Sequence, residues 1–169
     1  MGMDGDLMAY IKFKGLKEYE LKLSRLEANT EKTVGEAIYQ GAKIVADEIK
    51  SGIETLKVEK SRKGSEQNLL SGITQDQKEG LKSGFGIAPM EYKDGYRSVK
   101  LGFDGYNNTK TKKYPKGQPN VLIARAVESG TSFRKKTPFV RPAVRRTKTK
   151  AEQAMEKIID EQISKDMKG

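Results

Sequence analysis

The chain has 169 residues, of which 35% are hydrophobic and 33% are charged, and its formal net charge is +10. It contains neither Cys nor His, which excludes disulfides, thiol nucleophiles, histidine general bases and the zinc or iron–sulfur sites built on these residues. No apolar run approaches the ~20 residues of a membrane-spanning helix, and no secretory signal is recognisable, so we expect no membrane contact.

The length suits one domain, which we assign to residues 8–169. The segment before it, Met1–Leu7, is rich in Gly and Asp and shows no periodicity. It represents either a vector-derived remnant before a natural start at Met8 or a disordered N-terminus.

Two kinds of periodicity follow in the N-terminal third. Tyr10–Lys14 alternates apolar and polar residues, which predicts a short strand. Apolar residues then recur every three or four positions over Leu16–Leu26 and, more strongly, over Thr33–Ile49, which predicts two helices. In the second helix Gly41 and Ala42 are small enough for another backbone to approach closely. Alternatively, Gly41 is only a tolerated weak point that costs up to ~1 kcal/mol against Ala.

The next three segments show little pattern. Thr55–Gln67 is polar and basic, which is typical of a mobile loop. Asn68–Ile73 has the composition of a single helical turn, and Thr74–Gly80 is predicted to be a second polar loop.

A β-hairpin is predicted from Phe85–Tyr92 and Tyr96–Phe103, because the second run alternates apolar and polar residues. The turn is assigned to residues 93–95, where Gly95 can adopt positive φ. Pro89 indicates that the first strand lies at an edge or carries a bulge.

Asp104–Asn120 is rich in turn-forming and basic residues, and is longer than a simple connection. Loops of this kind are typically either functional or disordered. Asn120 is predicted to cap a short helix over Val121–Ser129, which Gly130 would end.

The C-terminal segment predicts the clearest helix. Thr137 and Pro138 give its start signal, and Pro142 is expected either to delay or to kink its beginning. One face is apolar and consists of Val140, Ala143, Val144, Ala151, Met155, Ile158, Ile159 and Ile163. The predicted fold is therefore α+β, with two long amphipathic helices packed on a small, largely antiparallel sheet and with long basic loops.

No sequence motif places a nucleophile beside a base. Gly84-Phe85-Gly86 lacks the third glycine and the strand–turn–helix setting of a dinucleotide site, and no phosphate-binding loop of the Gly-Lys-Ser/Thr type occurs. We therefore assign no catalytic residue, no metal ligand and no cofactor, and we expect the protein not to be an enzyme.

Basic residues cluster at two places. The candidate partner-binding loop contains Lys110, Lys112, Lys113, Tyr114 and Lys116, and the candidate basic surface contains Arg134, Lys135, Lys136, Arg145 and Arg146. Such residues can serve as solvated surface, bind an acidic protein, or grip phosphates beside a stacking aromatic ring. Cations at a helix N-terminus oppose its dipole, which suggests a partner surface near the start of the last helix.

Residues 126–144, AVESGTSFRKKTPFVRPAV, resemble the tail-completion, or head–tail joining, family of tailed bacteriophages and prophages. The positions that match its motif are Glu128, Gly130, Thr131, Pro138, Phe139, Arg141, Pro142 and Ala143. Weaker matches occur at Ile11–Leu16, at 41–45 and at Asn68–Ile73, although the usual Thr-Gly before the last segment is absent. The resemblance spans residues 11–163, and Thr55–Asn120 departs from it most.

The resemblance implies a non-enzymatic virion structural protein that joins or completes the tail at the neck. It implies a ring of identical subunits, commonly a hexamer, with head-connector or stopper and tail-tube proteins as partners and with transient contact to DNA left open. The location would be the virion neck or tail, and the bacterial host cytoplasm before assembly. The alternative is a basic, phage-encoded nucleic-acid-binding protein.

Within the motif, Gly130 is expected to make a tight turn, Phe139 to anchor it in the core, and Pro138 and Pro142 to stiffen the start of the helix. The motif is then a determinant of the fold, or else it contacts a partner directly. The basic loop is expected to act as a partner-binding arm that orders on assembly.

Overall fold

The computed structural model describes the backbone of residues 9–11, together with residues 30–60 and 63–168. In chain order these form β1 (Ala9–Ile11), α1 (Thr30–Thr55), α2 (Gln75–Gly84), β2 (Phe85–Ile87), β3 (Glu91–Lys93), β4 (Tyr96–Phe103), α3 (Asn120–Ser129) and α4 (Val140–Lys168). The predicted α+β class, with two long helices and a small antiparallel sheet, is confirmed. The helix predicted over Leu16–Leu26 and the segment Met1–Leu7 lie outside the described residues.

Strand β4 lies at the centre of the sheet and pairs antiparallel with the other three strands. On one side β1 places Ala9 opposite Leu101, and on the other β2 places Phe85 opposite Phe103. The strand predicted at Tyr10–Lys14 is thus present as β1, although its last residues are not among those described.

The predicted hairpin is present, and Asp94 and Gly95 form its turn. Both residues have positive φ, 53° and 80°, as two-residue hairpin turns of the primed type require. The first strand is interrupted at Pro89, which separates β2 from β3 because proline has no N–H to donate to the ladder. After the break, the N–H of Met90 donates to the hydroxyl of Tyr39 on α1 at 3.0 Å. In the described sheet β2 and β3 lie at an edge, as predicted.

Helices α1 and α4 pack against each other in antiparallel orientation. Gly52, near the end of α1, faces Phe139 just before α4, whereas Gly41 faces Met155 farther along α4. A Cβ atom at Gly41 would lie 2.8 Å from Met155 Sδ, so the glycine makes room for this methionine. Close approach at Gly41 is therefore real, but a side chain and not a second backbone fills the space.

The core lies between this helix pair and the sheet, and its large, fully buried apolar side chains are Val34, Ile38, Val45, Ile49, Ile53, Ile73, Leu81, Val99, Leu101 and Ile159. The apolar face predicted for the last helix is buried or half-buried against it. Pro142 lies in the first turn of α4, where the N–H groups have no intrahelical acceptor, so it neither delays nor interrupts the helix.

The region before the hairpin differs from the prediction. Thr74–Gly80 was expected to be a loop, but α2 begins at Gln75. A capping box fixes its start: the Thr74 hydroxyl accepts from the N–H of Gln77, and the Gln77 side chain accepts from the N–H of Thr74. The helical turn predicted at Asn68–Ile73 is also wrong, because this segment contains no helical residue and forms isolated β-bridges through Leu70 and Ile73.

Those bridges hold the preceding loop as well. Ile73 pairs with Val58, and Leu70 pairs with Arg134 in the segment before α4. The N–H of Glu59 donates to the Ile73 carbonyl at 2.8 Å. After Thr55, which ends α1, the described part of the predicted loop Thr55–Gln67 lacks regular helix or strand, and backbone hydrogen bonds fix part of its path.

Candidate functional site

The carboxylate of Glu128, at the end of α3, is the only charged group among the buried residues of the described chain, and the residue is 1% exposed. Its Oε2 accepts hydrogen bonds from the N–H groups of Phe139 at 2.7 Å and Val140 at 2.9 Å, and its Oε1 accepts one from Arg141 at 2.9 Å. These donors lie at the start of α4, where helix geometry leaves N–H groups without partners. Glu128 therefore caps α4.

This carboxylate changes the interpretation of the cations that follow it. An anion at a helix N-terminus is stabilised by the helix dipole, so Glu128 supplies the negative charge that the start of α4 requires. The Arg146 guanidinium also pairs with Glu48 on α1, with Nη2 and Oε1 at 2.8 Å. Glu128 and Glu48 therefore offset part of the positive charge at the start of α4 within the chain, and the partner surface near this helix start stays a prediction.

The Gly-Thr part of the motif makes a tight turn, as predicted. Gly130 ends α3 with φ of 75°, a conformation that favours glycine. Thr131 and Arg134 then exchange backbone hydrogen bonds at 3.0 and 3.2 Å. The tip of this turn exposes Phe133, whose side chain is 55% accessible. The Leu70 N–H donates to the Phe133 carbonyl at 2.9 Å and attaches the turn to the preceding loop.

Phe139 anchors this region in the core. The residue is 4% exposed, and its ring meets that of Phe103 edge-on with centroids 6.0 Å apart. Phe103 in turn contacts Phe85, with centroids at 5.1 Å. The aromatic contacts join the start of α4 to β4 and β2, so the expected role of Phe139 agrees with its position.

The motif residues separate into two groups by exposure. Glu128, Phe139 and Ala143 are buried, and Gly130 and Pro142 are half-buried. The residues that face solvent are Thr131, Pro138 and Arg141. The inward group holds the fold together, while the outward group remains available for contact.

Arg134 is a structural member of the candidate basic surface. It is half-buried, and its Nη1 donates to the carbonyl of Gly72. Burial lowers the pKa of the Arg134 guanidinium, while the nearby Glu59 carboxylate opposes this change. A hydrogen bond from the Ser71 hydroxyl, at 2.5 Å, lowers the pKa of the Glu59 carboxyl. The other members of the surface, Lys135, Lys136, Arg145 and Arg146, are exposed.

The candidate partner-binding loop follows a defined path in the single chain. Thr111 and Tyr114 exchange backbone hydrogen bonds at 3.1 and 3.2 Å, and the Gly117 N–H donates to the Tyr114 carbonyl at 3.2 Å. These contacts form two successive turns. Hydrogen bonds within the single chain are therefore enough to explain the conformation of the loop, and its ordering on assembly stays a prediction. Its exposed lysines are Lys110, Lys112, Lys113 and Lys116.

Buried polar residues attach the loop to α2 and α3. The N–H of Asn107 donates to the Gln118 carbonyl at 2.9 Å, and the side chain of Gln77 on α2 donates to the Gln118 side chain at 2.9 Å. Asn120 does not cap α3 as predicted, since its Nδ2 donates to the Asp104 carbonyl at 2.8 Å. Asn120 therefore joins the two ends of the loop instead.

The two basic regions lie at opposite ends of α3, which are about 15 Å apart at 1.5 Å per residue. The loop precedes the first residue of α3, and the motif turn follows its last. The structure therefore brings the motif residues together but does not merge the loop lysines with the candidate basic surface.

Other kinds of site are sparse in the described part of the chain. It contains no cluster of three or more acidic, His or Cys side chains able to hold a metal ion. A cavity beside Arg134, Ser71 and Thr137 has a volume of about 10 Å³, which is close to the space for one water molecule. None of the described helices combines the length and apolar character needed to cross a bilayer.

Sequence reasoning included Glu128 in the motif but missed its role as the cap of α4. A signal was available, because Glu128 is the only acidic residue between Gly105 and Lys150. The exposed aromatic residues of the hairpin, Tyr92 and Tyr96, were also missed as surface features. The alternation of β4 was a signal for Tyr96, because Tyr96 lies on the same face as Ser98 and Lys100 and not on that of Val99 and Leu101.

No protein-family model, curated protein or solved structure matches this chain.

Proposed function

We propose that this protein is a structural assembly protein of a tailed phage or prophage, which joins or completes the tail at the head–tail neck. The observation that carries the proposal is the geometry of the Glu128–Ala143 motif. Its residues form one local unit, in which a buried carboxylate caps the longest helix and Phe139 fixes that helix to the sheet. This unit gives a physical reason for the motif that resembles the tail-completion family.

The exposed half of the motif supports a docking role. Thr131, Pro138 and Arg141 face solvent beside the Phe133 tip, on a base that hydrogen bonds hold in place. A rigid surface loses little conformational entropy when it binds, which suits repeated contacts between identical subunits. Self-association into a ring and contact with head-connector or tail-tube proteins are parts of this proposal.

Deletion of the gene from the phage or prophage that carries it tests the proposal. We expect filled heads and separate tails in electron micrographs, with joining restored by the wild-type chain supplied in trans. Joined, infectious particles in the absence of the gene would contradict the assembly role. Tail-tube and head-connector genes beside this gene would support it.

Complementation also distinguishes a determinant of the fold from a contact residue. Arg141→Ala removes an exposed side chain while its backbone N–H can still donate to Glu128. If Arg141 contacts a partner, the variant will fold normally but join heads to tails poorly. Lys168→Ala, which changes an exposed cation at the other end of α4, serves as the matched control and should complement fully.

A basic nucleic-acid-binding protein is the second candidate function, and the loop lysines are the observation in its favour. Such a protein should bind nucleic acid as its main activity and lose affinity steeply as salt rises. It should also leave joining of heads and tails unaffected when deleted, which separates it from the assembly proposal.

A further inference from the structure

The loop lysines carry charge that the described part of the chain does not neutralise. Lys110, Lys112, Lys113 and Lys116 form no ion pair with any described residue. No Asp or Glu occurs between Gly105 and Val127, so the sequence provides no local acid either. Some other cations are paired: Lys82 pairs with Glu54 at 2.6 Å, and Lys100 pairs with Glu91 at 2.9 Å.

The loop carries these four charges within seven residues, 110–116, on a backbone that hydrogen bonds hold in place. The turn between Thr111 and Tyr114 presents Lys112 and Lys113 at its tip, and the turn that ends at Gly117 presents Lys116. Like charges on neighbouring side chains repel each other, although water and salt weaken the repulsion. The buried Asn107 and the Gln77–Gln118 bond keep the loop in place despite this repulsion. A bound polyanion would reduce this repulsion. Because the loop is already ordered, binding would cost little conformational entropy.

The surroundings favour a polyphosphate over an acidic protein. Stable protein interfaces contain a buried apolar centre, usually with aromatic anchors. The loop offers one well-exposed ring, Tyr106 at 68%, while Tyr114 is half-buried with Lys113 Nζ at 5.6 Å from its centroid. Phosphates need only positioned cations, which is what four exposed ammonium groups provide.

We propose that the loop Asp104–Asn120 binds the phosphate backbone of duplex DNA without sequence preference. This inference goes beyond the assembly role and stands on different residues, so either can fail alone. In an assembly at the neck, such a loop would contact DNA that passes between head and tail. Its lysines would act as positioned charges, with no base recognition.

The test is a titration of a fluorescent duplex of mixed sequence with the full-length protein at several salt concentrations. Each phosphate contact contributes about −0.9 to the slope of log K against log salt, so four contacts predict a slope of about −3.6. Raising salt from ~50 to ~200 mM should therefore weaken binding about a hundredfold.

The loop variant K110Q/K112Q/K113Q/K116Q should lose most of the affinity and most of the salt slope. The control K43Q/K50Q/K165Q/K168Q removes equal charge from exposed helical lysines that lie outside the loop and form no ion pair with a described residue. It should bind nearly as well as wild type. The charge-preserving variant K110R/K112R/K113R/K116R should retain binding, which separates loss of charge from misfolding.

Equal losses in the loop variant and the control would overturn the proposal, because binding would then follow net charge alone. A wild-type slope near zero would also overturn it. Polyglutamate of matched charge is the probe for an acidic protein partner, and displacement of the duplex by it at equal charge concentration would refute phosphate recognition. Weak displacement, with affinity lost only in the loop variant, would support it.

Discussion

Two cationic regions of this protein use their charge differently. Around the start of α4, buried Glu128 binds the first N–H groups, Glu48 pairs with Arg146, and a carbonyl accepts from Arg134. In the loop Asp104–Asn120 the lysines have no ion pair within the described chain, and buried amides hold the backbone instead. Part of the charge near α4, on Arg134 and Arg146, therefore stabilises the fold, whereas all four loop lysines remain available to a partner.

The comparison shows that the density of positive charge is a poor guide to a binding surface. A cation that donates to a carbonyl or pairs with a carboxylate already has a partner within the chain for part of its charge and its N–H donors. The loop differs in that none of its four lysines has such an acceptor among the described residues, and its support does not depend on its lysines. Four sets of variants test this difference, starting with the largest expected effect.

Phe139→Ala should reduce the free energy of unfolding by about 3 to 5 kcal/mol, because it empties a buried ring position between α1 and the sheet. Phe133→Ala, which truncates the exposed ring at the tip of the turn, should cost less than ~1 kcal/mol. Chemical denaturation of both variants measures the contrast. Similar losses would show that the turn tip is also part of the core.

Glu128→Ala should cost about 3 kcal/mol, since it leaves three N–H groups at the start of α4 without their charged acceptor. Glu128→Gln should cost about half as much, because one amide oxygen can still accept. Glu156→Gln, on the exposed face of α4, is the control and should change stability by less than ~0.5 kcal/mol. If Glu128→Ala were as mild as this control, the capping role would be wrong.

Gly80→Ala should destabilise the protein by about 1 to 3 kcal/mol, although alanine favours helices. Its Cβ would lie 2.4 Å from Asn120 Oδ1 and 2.5 Å from Asn107 Cβ, so the base of the loop must shift. Gly86→Ala meets nothing within 4 Å and should be neutral or slightly stabilising. Hydrogen exchange of the loop amides should rise in the first variant only, and unchanged exchange there would show that α2 does not hold the loop.

The smallest effects should differ in sign. Arg146→Gln removes the ion pair with Glu48 and should cost about 0.2 to 1 kcal/mol at low salt. Lys112→Gln removes repulsion within the loop and should leave stability unchanged or raise it by up to ~0.5 kcal/mol. Thermal melting at low and high salt measures both. A destabilising Lys112→Gln would show that the lysines help to hold the loop.

Periodicity in the sequence was sufficient to predict the helices and strands whose apolar residues face the core. It predicted the positions of α1, α3 and α4 and the hairpin, although α1 extends beyond the predicted Thr33–Ile49 to Thr30–Thr55. It failed at Asn68–Ile73 and Thr74–Gly80, where packing and caps decide the conformation. The capping box of Thr74 and Gln77 was readable in the sequence, whereas the bridges of Leu70 and Ile73 to distant segments were not.

The sequence by itself determined the class of fold, the turn at Asp94 and Gly95, the chain reversal at Gly130 and the absence of acidic residues between Gly105 and Val127. These depend on local preferences or on composition, which do not need distant partners. Only the tertiary structure decided that Glu128 caps α4, that Asn120 joins the ends of the loop, and that Gly41 receives Met155. Each of these contacts joins groups that are separated in the chain, and the local sequence does not determine which of them meet.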